Sequence, residues 1–188
     1  MTYKITLRKI LLHFHKVNKH RFLVFKLSLK AGIPWQGLKH DLSKYSPTEF
    51  FESARYYVGD RSPIINARKD KGYSEAWLHH KGRNKHHYEY WIDYSLNIEE
   101  GIVGMKMPLK YVVEMFMDRV AASKIYMKEK YTDAYPLEYY DKGAALLGPM
   151  VHKDTARLLR HLLLMLARDG EEKTFRYIKK VLLKKKTY

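Results

Sequence analysis

The sequence contains no cysteine. That excludes disulfides and any metal site built on thiolates, and it fits a chain kept in a reducing interior, so a cytoplasmic protein is expected. No uninterrupted apolar run of about 18 residues occurs, so no membrane-spanning helix is expected. The opening Met1-Thr2-Tyr3-Lys4-Ile5-Thr6-Leu7-Arg8-Lys9-Ile10 lacks a long apolar centre and a small-residue cleavage site, so it does not read as a signal peptide. It reads instead as the start of a basic amphipathic helix. No stretch alternates as a strand, and there is neither an internal repeat nor a low-complexity linker. Acidic residues are scarce: 36 Lys and Arg face 20 Asp and Glu, a formal charge of +16. Such a field attracts phosphate-bearing partners, whether nucleotides, nucleic acid or an anionic surface.

What remains is helical periodicity. At 188 residues and 46% hydrophobic content the chain reads as one domain with a substantial core. Residues 4–30 form a first helix that Gly32-Ile33-Pro34 stops, and a second carries Trp35 to about Lys44. Ser46-Pro47-Thr48-Glu49 has the form of a capping box opening a helix to Val58. Ser62-Pro63 opens a short turn, residues 66–73 are a polar connection, and Ser74 caps Glu75 to His80. Tyr88 to Asn97 is expected as helix, Gly101 to Pro108 as loop, and Pro108 starts a long helix to about Lys130. Residues 131–150, with Pro136, Gly143, Gly148 and Pro149, are mixed loop and short helix. Two last helices, 153–168 and 171–185, are separated by Asp169-Gly170. The expected fold is all-α, a single-domain helical bundle over 1–188. Its C-terminal helices occupy about 150–186.

Ten histidines without a cysteine mean that any transition metal would be held by nitrogen and oxygen. His40-Asp41 places an imidazole beside a carboxylate, three residues before Lys44. Neighbours on a helix point about 100° apart, so the pair can serve one centre only at the edge of a buried groove. His13 and His20 project from nearly the same face of the first helix, and His15 from another. The densest cluster is His79-His80 and His86-His87, four imidazoles bracketing a turn that contains Gly82. One histidine from each doublet can face inward, and the sequence does not fix which. A competing reading of this segment is an RNA-stacking surface with Tyr88, Tyr90 and Trp91. Asp118 shares an apolar helix face with Met115, Ala121, Ala122 and Ile125. A buried carboxylate there needs a cation, from a salt bridge or from a metal.

Histidine, then His-Asp, then more histidines, then a distant helical aspartate is the order found in the HD-domain superfamily of metal-dependent phosphohydrolases. The sequence resembles that superfamily at His20, His40-Asp41 and Asp118, with His80 and His86 or His87 matching its two-metal members. His40-Asp41-Leu42-Ser43-Lys44 is similar to the HD-x-x-K version, whose lysine meets a substrate phosphate. The run from His40 to Phe50, the His79 to Trp91 segment, and Glu114-Met115 before Asp118 also resemble a family of small bacterial and phage helical proteins with no established activity. That likeness covers about residues 10–130. Among His13, His15 and His20, the last fits best, because Val24 follows it in the His-x-x-x-Val setting.

The resemblance implies an HD-domain-like bundle holding one or two divalent ions. His20, His40, Asp41 and Asp118 would bind the first, and Asp41 would bridge to a second held by His80 and His86 or His87. Iron, manganese, cobalt, nickel or zinc suit such ligands, and magnesium only with water in most positions. Lys44 and Arg83 would neutralise a phosphate. His79 or Glu89 would orient the leaving group or a metal ligand. The implied substrate is a nucleotide or related phosphoester. Two other readings stand beside it. One is a basic helical nucleic-acid-binding module, supported by Lys179-Lys180, Lys184-Lys185-Lys186 and 16 tyrosines. The other is a metal-binding protein without hydrolysis, including a di-iron protein. The leucine stripe at 158–166 reads as core or as the interface of a homo-oligomer.

Overall fold

In the computed structural model, residues 3–144, 150–185 and 187–188 are described. Eight α-helices and one two-stranded hairpin occur among them. The long first helix, α1 (Leu7–Ala31), starts where the Thr6 hydroxyl accepts from the Lys9 amide. It stops at Gly32, whose φ of 82° is one that a side chain would strain. Pro34 then opens α2 (Pro34–Lys39). Gly37 lies so close to α1 that a Cβ there would meet Ser28 Oγ at 2.0 Å.

Here the expected helix through Lys44 breaks. His40 caps α2 with non-helical backbone (φ −54°, ψ 130°), Asp41 takes the left-handed conformation (φ 56°, ψ 25°), and Leu42–Tyr45 closes as a short 3-10 turn. Arg21 of α1 secures the break, donating from Nε to the His40 carbonyl (2.8 Å) and from a terminal nitrogen to the Leu38 carbonyl (2.8 Å).

Ser46 caps α3 (Pro47–Tyr56). The capping box is only half made: Ser46 Oγ accepts from the Glu49 amide, but the Ser46 amide goes to the Ser43 carbonyl and the Glu49 side chain turns inward. The stretch expected as polar connection is instead the helix α4 (Pro63–Lys71). It buries only Pro63, Asn66 and Ala67, and its ties to α3 are polar: the Asn66 side-chain amide donates to the Tyr56 carbonyl, the Tyr56 hydroxyl donates to Asp70 Oδ2 (2.6 Å), and Lys71 pairs with Glu52 (2.6 Å). Ser74 caps α5 (Glu75–Lys81) as expected.

The helix expected over Tyr88–Asn97 is absent. Tyr88–Trp91 is one 3-10 turn, and β1 (Ile92–Tyr94) pairs antiparallel with β2 (Ile102–Gly104), Tyr94 opposite Ile102. Gly101, at φ 61°, turns the chain back, and Gly104 abuts the backbone of Met150 and His152, with no room for a Cβ.

The central helix α6 (Leu109–Met127) is buried almost all round. It packs between α1, through Val24 and Leu27, and α8 (Lys153–Lys180), through Leu159, Leu162 and Leu166. Each fully buried leucine contributes about 1.5–3 kcal/mol. Leu158, Leu159, Leu162, Leu163 and Leu166 of the leucine stripe are therefore core, while Leu164 is 41% exposed. α7 (Tyr135–Ala144) covers α8 from the side. Gly170, at φ 80° and ψ 169°, kinks α8 at the boundary anticipated between two helices. Gly148 and Pro149, expected in loop, and Lys186 of the basic tail lie outside the described residues. No helix of the described residues is long and apolar enough to cross a membrane.

Candidate metal centre

Five segments converge on the N-terminal half of α6. α1 supplies His20, the α2 break supplies His40 and Asp41, and α5 supplies His80. The turn after α5 supplies His86 and His87, and α6 supplies Glu114 and Asp118. The left-handed residue turns Asp41 back toward the ring that precedes it, so the two adjacent side chains meet in one cavity.

Asp41 is at the middle. Its Oδ2 lies 3.2 Å from His40 Nε2 and 3.4 Å from His20 Nε2. Its Oδ1 lies 3.3 Å from His80 Nε2 and 3.4 Å from His86 Nε2. Each oxygen thus faces its own pair of imidazoles. Asp118 closes the first side, with Oδ1 3.0 Å from His20 Nε2 and 3.7 Å from His40 Nε2. No lysine or arginine reaches Asp118 within ion-pair distance among the described residues, so the alternative of a simple salt bridge is not what meets its charge.

Behind three of the rings stand two further carboxylates. His40 Nδ1 is 2.9 Å and His86 Nδ1 3.2 Å from Glu114 Oε1, and His80 Nδ1 is 2.8 Å from Glu49 Oε2. A ring whose Nδ1–H is given to a carboxylate turns a bare Nε2 toward Asp41, the arrangement that orients metal-binding imidazoles. Four carboxylates (Asp41, Glu49, Glu114 and Asp118) face one ammonium, that of Lys44, which lies 2.6 Å from Asp41 Oδ2.

Burial alone would raise the Asp41 carboxyl, but His40, Lys44, His80 and His20 override it and hold it well below the usual range. Burial would likewise raise Glu114, and the bonds from His40 and His86 bring it down to about 2. Burial opposes the charged form of His40, yet Asp41, Asp118 and Glu114 hold its pKa well above the ordinary value. His87 goes the other way, lowered by burial and by the neighbouring His86 and His80. The carboxylates of the cluster thus favour positive charge among them.

A cation fits. Both oxygens of Asp41, the Nε2 of His86 and the Nε2 of His87 are buried with no hydrogen bond of proper geometry, although they lie among charged neighbours. His20, His40, Asp41 and Asp118 form one group whose donor atoms could hold a metal ion, and His80, His86 and His87 form another. His40, His86 and Glu114 make a third group that shares rings with both. Nitrogen with carboxylate oxygen suits a divalent transition metal. The set is most open at Lys44 (31% exposed side chain) and Asp118 (20%), which marks the mouth.

Other expected residues fall at varying distances from this centre. His13 is buried elsewhere, against Phe50 and Tyr57, and His15 is exposed, so of the three α1 histidines His20 alone enters. Of the first doublet His80 turns inward, while His79 binds the rear of the cluster at Glu49 (2.6 Å). Both members of the second doublet turn inward. Glu89 has a buried, unpartnered Oε2 3.8 Å from His87 Nδ1. Arg83 is exposed, and its side chain makes no hydrogen bond or ion pair among the described residues.

Glu49 and Glu114 are the residues that motif reading missed as part of the centre. Glu114 carried a signal, since it precedes Asp118 by one helical turn on the same face. Glu49 had none, because its place in the capping box already explained it.

No curated protein and no solved structure matches this chain. The model of one family does match, over residues 9–165, a span that takes in every residue of the cluster. The chain belongs to that family, described as a family of unknown function, DUF5662.

Proposed function

We propose that this chain is a metal-dependent phosphohydrolase of the HD-domain type, acting on a nucleotide or related phosphoester. One observation carries the reading: the two oxygens of Asp41 each face a separate pair of imidazole nitrogens, with an ammonium at the mouth. Asp41 would then be shared between an ion held by His20, His40 and Asp118 and one held by His80, His86 and His87. The ions, when bound, would supply an activated water and a clamp for phosphoryl oxygens.

The chain's own residues do the rest. Glu114 and Glu49 fix the tautomers of His40, His86 and His80. Lys44, with its pKa raised by Asp41 and Asp118 against the burial that opposes it, keeps its proton and neutralises a phosphate entering at the mouth. Arg83, on the exposed turn, adds a second contact to that phosphate. Glu89 orients His87. The charge of +16 draws an anionic substrate toward the mouth.

The test is metal content of the purified protein, followed by a panel of nucleotide mono- and diesters. Bound transition metal with metal-dependent phosphate release is expected. Nucleic-acid binding that weakens steeply with salt and ignores chelation would favour the basic-module reading. Bound iron with a redox-sensitive colour and no phosphate release would favour a di-iron protein.

A further inference from the structure

α1 is amphipathic twice over. One face, with Val17, Val24 and Leu27, is buried in the core. Turned half-way round the helix is a second apolar stripe of Leu7, Leu11, Phe14, Phe22 and Leu29, each 48–71% exposed. α1 carries seven lysines and arginines and no acidic residue. Arg8, Lys19 and Lys26 line one edge of the stripe at helical spacing, and none makes an ion pair among the described residues. Five large apolar side chains left exposed along one helix of a folded chain mark a contact surface.

The hairpin is its complement. Residues 92–104 hold three acids, Asp93, Glu99 and Glu100, and no lysine or arginine, in a chain of net charge +16. None of the three acids meets a cation within ion-pair distance among the described residues. The tip leaves Tyr94, Leu96 and Ile98 77–108% exposed. Nothing in the core requires these side chains. The base of the hairpin, by contrast, is anchored by the tight seat of Gly104 against Met150 and His152.

We propose that two copies of this chain associate reciprocally, the hairpin of each lying on the outer stripe of α1 of the other. Packing α1 against α1 would bring Arg8, Lys19 and Lys26 of one copy up to those of the other, which like-charge repulsion opposes. An acidic, apolar hairpin meets both the charge and the apolar stripe. A reciprocal contact is self-complementary and closes at two copies rather than growing into a filament.

Sedimentation across the micromolar range tests this, on the full chain. A dimer that weakens with salt is expected. Glu99→Lys with Glu100→Lys, and separately Leu96→Ser with Ile98→Ser, should each raise the dimer dissociation constant by about tenfold or more. All four fall on exposed side chains, so thermal unfolding should stay as in the parent. Combining the hairpin charge reversal with Arg8→Glu, Lys19→Glu and Lys26→Glu should restore association. A monomer throughout that range overturns the proposal, as does a dimer indifferent to both hairpin pairs or a reversal that restores nothing. So does a monomer that binds phosphatidylserine vesicles through α1 while ignoring the hairpin substitutions.

Discussion

His40 and Asp41 are adjacent in sequence, and yet His40 Nε2 lies 3.2 Å from Asp41 Oδ2. In a continuous helix their side chains would diverge by about 100°. The end of α2 and the left-handed backbone of Asp41 fold one back toward the other. A non-glycine residue in that region costs of order 1 kcal/mol, so it persists only where its surroundings hold it, here the hydrogen bonds from Arg21 and the packing of Gly37 on α1.

Removing the central carboxylate tests the arrangement most directly. Asp41→Ala should abolish bound metal and turnover together, measured by elemental analysis and phosphate release. Full activity in this variant would falsify the proposed function.

Glu114→Gln keeps the shape of the side chain and weakens the charge behind His40 and His86. Metal affinity should fall by about 10–100-fold, read by competition with a chromophoric chelator. Glu49→Gln, which lies behind His80 alone of the inward rings, should weaken one ion and spare the other.

Gly37→Ala forces a Cβ to within 2.0 Å of Ser28 Oγ and 2.4 Å of Ser28 Cβ. α2 must move off α1, carrying His40 with it. A loss of about 1–3 kcal/mol in denaturant unfolding is expected, together with weakened metal binding. An unchanged midpoint would show that α2 is free to shift.

Acid should act through His13, whose folded pKa is lowered to about 4 by burial and by Lys44 and Lys16. The folded state binds fewer protons than the unfolded one between that value and the ordinary 6.5. The contribution of His13 is therefore complete above about pH 6.5 and is lost as pH falls toward 4, about 3 kcal/mol in all. His13→Leu should flatten that part of the stability curve.

Chelation should destabilise the fold. An ion at a hundredfold over its dissociation constant adds about 2.7 kcal/mol. Its removal should lower the thermal midpoint by about 5–10 °C in a chain of this size. A midpoint indifferent to chelator and to added metal would count against a bound ion.

Much of this was legible in the sequence where the signal is local. The caps at Ser46 and Ser74, the stop at Gly32-Ile33-Pro34 and the kink at Gly170 all fell where turn and cap chemistry placed them. His20 stood out from His13 and His15 by its neighbours. What was hidden depended on distant contacts. The break at Asp41 is held from α1, which no pattern within residues 35–45 reveals. The first strand of the hairpin read as helix and the second as loop, because the strands are three residues each and largely exposed, too short for alternation to show. α4 read as connection because it buries little, and it is tied to α3 by polar groups: Asn66 on the Tyr56 carbonyl, the Tyr56 hydroxyl on Asp70, and Lys71 on Glu52.

The convergence of five segments also sets an order of events during synthesis. His20, His40, Asp41, His80, His86 and His87 all leave the ribosome before Glu114 and Asp118. A nascent chain that ends short of α6 holds all five imidazoles of the cluster, but lacks the carboxylate behind two of them and the one that closes the first side. With the N-terminal part emerging first, a metal bound as proposed would meet the rings before α6. α6 is then the bolt, and its arrival adds the carboxylates of Glu114 and Asp118 to a cluster until then rich in nitrogen.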